Sequence, residues 1–374
     1  MIPIFEPEFT AKEREYLLEC IDTGWISSQG RFITDFEQAY ARHTGMPHGI
    51  ATSNCTTALH LALLGLGIGA GDEVICPDLT FIAPANMIAM TGATPVLVDV
   101  EPIGWGIDPQ CLEARITPRT KAVIVVHAFG HAANMGPIMA IARRHGLKVI
   151  EDVAEAPDAQ WIDPTDGSRQ RVGTFGDASC YSFFANKIMT CGEGGMILCH
   201  DADLAENLRI LRDHGMSRQQ RYVHDVIGTN YRMTNMQAAV ALAQLERLDD
   251  TQARRLIQCE TYRRQLSGCA KLSFRPVAAW CAPVHWLTTI TLRRAELRTP
   301  LSDYLRRNGV EPRPMIFPVH EAKPYRHGND PNDFPVSRSI SHRSLHLPSA
   351  IGLSAEDIAR ICDLVIDWVE RNDA

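Results

Sequence analysis

No uncharged apolar run in this chain approaches the roughly 18 residues that a bilayer-spanning helix needs, so no membrane span is expected. A basic excess is missing too. Lys plus Arg is 37 against 44 for Asp plus Glu, a net charge of -7. That balance argues against a nucleic-acid partner, because nothing surplus is present to neutralise phosphates. The 11 cysteines are odd in number and scattered. No two stand at zinc-ligand spacing, so no metal site is expected, and reduced thiols in a cytoplasmic protein are the natural reading. Met1-Ile2-Pro3-Ile4-Phe5-Glu6-Pro7 lacks the basic and long apolar stretches of a secretory leader. Internal repeats and low-complexity linkers are also lacking. Lysine is scarce, six residues in all, a bias compatible with a high-GC producer.

What is present reads as a large globular chain. At 374 residues it exceeds one compact core, and two units are expected, 1–250 and 251–374. Thr10 and Glu13 have capping-box spacing ahead of an amphipathic helix over 11–21. Helical patterns follow at 57–66, 137–145 and 233–248. Between them lie short apolar runs at 73–76, 96–100, 122–126, 148–152, 180–184 and 195–199. Near-continuous apolar strands alternating with helices predict an α/β unit with a mostly parallel sheet covered on both faces. Beyond residue 250 come a charged helix (250–266), a strand (286–292) and helices at 300–308 and 354–371, a smaller α+β unit.

Two strand ends carry chemistry. Val149-Ile150-Glu151-Asp152 is an apolar strand ending in a carboxylate. Ser182-Phe183-Phe184-Ala185-Asn186-Lys187 brings a lysine to the end of another, before the glycine-rich turn Gly192-Glu193-Gly194-Gly195. A desolvated strand-end lysine is suited to become a nucleophile toward a carbonyl. An acid beside it is what pyridoxal phosphate requires: the acid holds the pyridinium nitrogen protonated and the lysine holds the aldehyde. Alone, Lys187 would read as a surface residue; the pair changes that weighting. Ala51-Thr52-Ser53-Asn54-Cys55-Thr56 reads as a small-residue turn opening a helix. It is either an ordinary N-cap or an anion site built from free amides. Ser182 could add a hydroxyl to such a site. Phe81 is either a core aromatic or a ring that stacks on a planar group. Arg313 and His320, in a proline-bounded extended segment, could bind phosphates or hydroxyls.

Taken together, Gly71-Asp72-Glu73-Val74-Ile75, Gly92-Ala93-Thr94-Pro95-Val96, Asn230-Tyr231-Arg232-Met233-Thr234-Asn235 and Arg313-Pro314 resemble the pyridoxal-phosphate-dependent sugar aminotransferases. These are the aspartate-aminotransferase-like enzymes that build amino sugars, and the resemblance runs along nearly the whole chain. It implies that Lys187 is the Schiff-base lysine, that Asp152 faces the ring nitrogen, that Glu155 lies beside the ring and that Phe81 stacks on it. The amides of Cys55 and Thr56, with the Ser182 hydroxyl, would cradle the phosphate. Asn230 would reach the neighbour's cofactor in a homodimer with shared active sites. Trp25, Ser27, Ser28, Arg313 and His320 would lie near the substrate. The implied amino donor is L-glutamate and the implied acceptor a keto-sugar nucleotide, with GDP-4-keto-6-deoxymannose expected. Rival readings are a 3-keto, UDP- or dTDP-linked sugar, or a cyclitol in antibiotic biosynthesis. A cofactor-dependent sugar dehydratase is a third rival, which Lys187 counts against. Cys55 stands where the family usually has glycine, so strain is expected there if φ is positive. Asp158, Ala128 and Phe129 also depart from the family pattern, and all are expected close to the cofactor or substrate.

Overall fold

In the computed structural model, residues 1–372 are described. The central feature is a seven-stranded sheet. Its spatial order is His48–Thr52, Gly195–Cys199, Ala178–Ser182, Lys148–Asp152, Thr120–Val126, Glu73–Pro77 and Thr94–Val98. Gly195–Cys199 pairs antiparallel with both its neighbours, and the other pairings are parallel. The sheet is therefore mostly parallel, as the alternation of strands and helices predicts. Its side chains leave in opposite directions at successive residues. Val123, Val125 and Val149 enter one core with Phe32, Phe36 and Ile138. Ala122, Ile124, Val126 and Ile150 enter another with Leu59, Leu61 and Leu63. Both faces are thus buried under helices, which is why the strands lack an apolar-polar alternation.

The expected helices form with shifted bounds. Thr10 caps the helix Ala11–Thr23, and Glu13 closes the capping box. The patterns over 233–248 and 250–266 form two helices as expected, with the break between them slightly earlier in the chain. Asn235–Leu245 is capped by Thr234 with Gln237, and Leu248–Leu266 follows after Arg247 leaves helical geometry at φ -120. Arg247 spends its guanidinium on Glu8 (2.8 Å) and on Glu13 (3.3 Å). The amphipathic helix Arg31–Thr44, which buries Phe32, Phe36 and Tyr40, had no counterpart among the predicted elements.

The smaller α+β unit has a four-stranded sheet, Leu272–Phe274, Thr288–Leu292, Ser344–Leu347 and Arg313–Pro314 in spatial order. Its separate core holds Ile290, Leu345, Leu347, Ile361 and Val365. The 281–282 segment pairs instead with Gln160–Ile162, so the chain beyond residue 250 also completes a small sheet beside the large one. No helix among the described residues is long and apolar enough to cross a membrane.

Glu8 fastens the N-terminal segment to the helix Leu248–Leu266 through Arg254 (2.7 and 3.0 Å) as well as Arg247. The Arg254 and Arg247 guanidiniums hold its carboxyl down at about 2. A depressed carboxyl contributes stability above its ordinary value near 4.5 and loses it as pH falls toward 2. Replacing Glu8 with Gln is expected to lower urea stability by about 1 kcal/mol at pH 7, allowing for solvent screening. The gap to wild type should close near pH 2, and a gap independent of pH would show that the charge is not its source.

Candidate active site

A cavity of about 470 Å³ opens at the edge of the large sheet where the parallel strands end. Asp152 closes one strand and Ser182 its neighbour, and the parallel register sets Asp152 opposite Cys180. Lys187 follows five residues later, on a loop that returns through Gly194, whose carbonyl accepts from the Phe183 N–H at 2.9 Å. Asp152, Glu155, Ser182 and Lys187 all line the cavity, as do Cys55, Thr56, Phe81 and Arg313.

The helix Cys55–Gly65 begins at this cavity. Asn54 caps it, its side chain accepting from the Thr57 N–H at 2.9 Å. The amides of Cys55 and Thr56 meet no acceptor among the described residues, as expected for the first turn of a helix. Gly195 lets the neighbouring strand approach this turn, since a Cβ there would lie 2.5 Å from the Asn54 backbone. Cys55 is the first helical residue and does not adopt positive φ, so the strain expected there is absent. Burial pushes its thiol well above the usual range, which leaves it an inert lining group.

The Asp152 carboxylate accepts one hydrogen bond, from the Ala154 N–H at 3.0 Å. Burial pushes it up to about 6, and nearby Glu155 adds to that. An acid held this way in a cavity is poised to accept a cationic partner. Glu155 accepts from the Phe129 N–H at 2.8 Å and lies 3.6 Å from the Lys187 Nζ. The Trp286 ring lies 3.9 Å from the same Nζ. Phe129 adopts φ 52 and its ring runs nearly parallel to Trp286. Arg313 reaches the cavity from the smaller sheet, next in register to His346. His346 donates to or accepts from the Thr289 hydroxyl at 2.8 Å, and burial drives its imidazole down to about 3, a neutral ring.

Other predicted residues lie elsewhere. His320 is 1 % exposed and sits outside the cavity lining. Asp78 takes both its backbone N–H (2.8 Å) and its Nδ1 (2.7 Å), and Phe334 stacks on it. The two partners turn the ring into the core. Asp158 is also away from the cavity, contrary to expectation. At φ 69 its carboxylate ties His43 (2.8 Å), Gln252 (2.9 Å) and Arg171 (3.3 Å) together. Trp25, Ser27 and Ser28 form an outer segment held by Asn235, which donates to the Trp25 carbonyl (2.7 Å) and whose N–H donates to that of Ser27 (2.6 Å). Asn230 is exposed and accepts from Arg232. Trp286, His346 and Glu193 line the cavity without a local signal in the sequence. Trp286 and His346 arrive from distant segments, so only the tertiary fold reveals them, while Glu193 comes from the lysine's own loop.

A lysine amine, a carboxylate with an oxygen left for a cation, and two unpaired helix-end amides form a donor set that fits pyridoxal 5′-phosphate. With the two-unit α/β architecture, that set defines an aspartate-aminotransferase-like enzyme. The chain belongs to the DegT/DnrJ/EryC1/StrS aminotransferase family, whose profile matches residues 7–366, and it is accordingly an aminotransferase. It is 45 % identical over 363 residues to the GDP-perosamine synthase of Caulobacter vibrioides, covering 96 % of each chain. It is 39 % identical to the GDP-perosamine synthase of Escherichia coli O157:H7, covering 98 % of each. Among solved structures, the aminotransferase TlmJ from Streptoalloteichus hindustanus superposes with a TM-score of 0.93 at 30 % identity, covering all of both chains.

Without cofactor, Asp152 costs stability. Its carboxyl is raised in the folded state, so the penalty is absent below about pH 4 and complete above about pH 6. Cofactor-free Asp152→Asn is therefore expected to be more stable than wild type above pH 6, by up to about 3 kcal/mol. The two should coincide below pH 4 in thermal melts. A variant less stable than wild type at pH 8 would contradict this.

Proposed function

We propose that this enzyme transfers the amino group of L-glutamate to GDP-4-keto-6-deoxymannose, giving GDP-perosamine, with pyridoxal 5′-phosphate as cofactor. The observation that carries the reading is the meeting of Lys187, Asp152 and Glu155 at one cavity in a chain so similar to two GDP-perosamine synthases. The bound cofactor supplies an electron sink for the carbon that loses or gains a proton. Lys187 holds the cofactor at rest and, once its amine is free, carries a proton on Nζ to and from the reacting carbon. Asp152 keeps the ring nitrogen charged; that cation offsets the cost of burying its carboxylate. The amides of Cys55 and Thr56, with the Ser182 hydroxyl, bind the phosphate, and Phe81 covers a ring face. Arg313 has no carboxylate partner among the described residues, so it is free to bind a diphosphate or a substrate carboxylate.

The test is direct. GDP-4-keto-6-deoxymannose with L-glutamate should yield a 4-amino sugar nucleotide. Turnover of a UDP- or dTDP-linked ketone instead, with none of the GDP sugar, would overturn the substrate and leave the transaminase chemistry standing.

We also infer a homodimer with shared sites. Phe81 is 60 % exposed although it lines the cavity, Trp25 is 53 % exposed and Ile227 is 97 % exposed. Large apolar side chains left exposed, one of them in the cavity itself, fit a surface that a second copy covers. Asn230, at the foot of the loop that carries Ile227, then serves the partner's phosphate, and Trp25, Ser27 and Ser28 face the substrate. Sedimentation at assay concentration should give a dimer, and a fully active monomer would refute it.

A further inference from the structure

We propose that Trp286 is a positioning residue for Lys187: its indole face docks the lysine amine whenever that amine is not joined to the cofactor. The proposal rests on the reading of the site as a lysine-dependent transaminase. In such a reaction the amine must leave the cofactor and stay within reach of the reacting carbon, and a desolvated ammonium needs something in place of water.

The Nζ of Lys187 has two close neighbours that favour a cation, with the Asp152 carboxylate acting from farther away. Glu155 is one, but at 3.6 Å its oxygen is beyond ordinary hydrogen-bond length. The Trp286 ring is the other, with its centroid 3.9 Å away, well inside the range where an aromatic face attracts a cation. The ring is buried and held by two neighbours. It is 6 % exposed. Its indole N–H donates to the carbonyl of Asn186 at 2.6 Å, the residue immediately before the lysine. The Phe129 ring runs parallel to it, 8° between planes. Phe129 in turn is kept at φ 52 by its own N–H on Glu155 and by the Arg275 guanidinium, which donates to the Ala128 carbonyl at 2.7 Å. Glu155 and Trp286 are therefore two walls of one dock, linked through Phe129. Their geometry relative to Nζ is set before any ligand arrives.

The ring face and the indole N–H can be separated. Trp286→Phe keeps an aromatic face and loses the N–H; Trp286→Leu loses both. In the cofactor-free protein, labelling of Lys187 by trinitrobenzenesulfonate, read by peptide mass spectrometry, should be about threefold to thirtyfold faster in the leucine variant. The phenylalanine variant should stay within about threefold of wild type. In the loaded enzyme, the leucine variant should lose a similar factor in kcat at unchanged KM for L-glutamate, and phenylalanine should restore most of it. If phenylalanine behaves like leucine, the N–H to Asn186 is the whole effect and the dock is wrong. Leucine indistinguishable from wild type would also overturn it. Should the leucine variant not melt cooperatively, Trp286→Met takes its place with the same expectation. Absence of transaminase activity in the wild type would sink the functional reading alone, because the labelling comparison needs neither cofactor nor substrate.

Discussion

Everything at the site depends on one pairing. The strand Lys148–Asp152 runs parallel to Ala178–Ser182, with Asp152 beside Cys180. Parallel strands finish at the same edge of a sheet, so the acid and the lysine loop are delivered to one place by backbone hydrogen bonds alone. A register slip of one residue would turn Asp152 to the opposite face. Val149 and Ile150, buried in separate cores above and below the sheet, make that slip costly. The packing of the sheet and the chemistry at its edge are thus specified by the same residues.

The rest of the site relies on groups that are individually unfavourable. Asp152 is a buried carboxylate with one hydrogen bond. Phe129 sits in left-handed backbone. Lys187 is an amine with little access to water. Each is held by neighbours belonging to well-packed elements, and such local cost concentrates where function needs a preset geometry.

Much of this was legible in the sequence, for identifiable reasons. The strands were visible because residues buried on both faces leave continuous apolar runs, and Lys187 and Asp152 because each ends such a run. The free helix-end amides at Cys55 and Thr56 were foreseen, as an N-cap or an anion site, from a small polar turn before a helix. The break between the helices Asn235–Leu245 and Leu248–Leu266 was legible as a change from an apolar to a charged pattern, but its place at Arg247 was not, because the partner Glu8 is distant in sequence. Trp286 and His346 were hidden for the same kind of reason: nothing beside them in the chain marks a cavity that forms from the other sheet. Asp158 misled because a departure from a family pattern records a change without saying which way the side chain faces. Its positive φ explains why a glycine would suit the position, while its three partners explain why this chain accepts an aspartate.

The antiparallel strand Gly195–Cys199 has an effect on how the lysine is carried. Had that strand run with its neighbours, the chain leaving Ser182 would have needed a long crossover to regain the far end of the sheet. Because it runs the other way, Ser182 and Gly195 sit opposite each other, and residues 183–194 form a hairpin closed at both feet. The lysine therefore rides on a short arch whose span is fixed by the sheet itself. Inserting residues at its crown would lengthen the arch without shifting either foot, whereas any change in its feet would also move the start of the helix Cys55–Gly65 at the cavity through Thr52, which pairs with Gly195 from the other side.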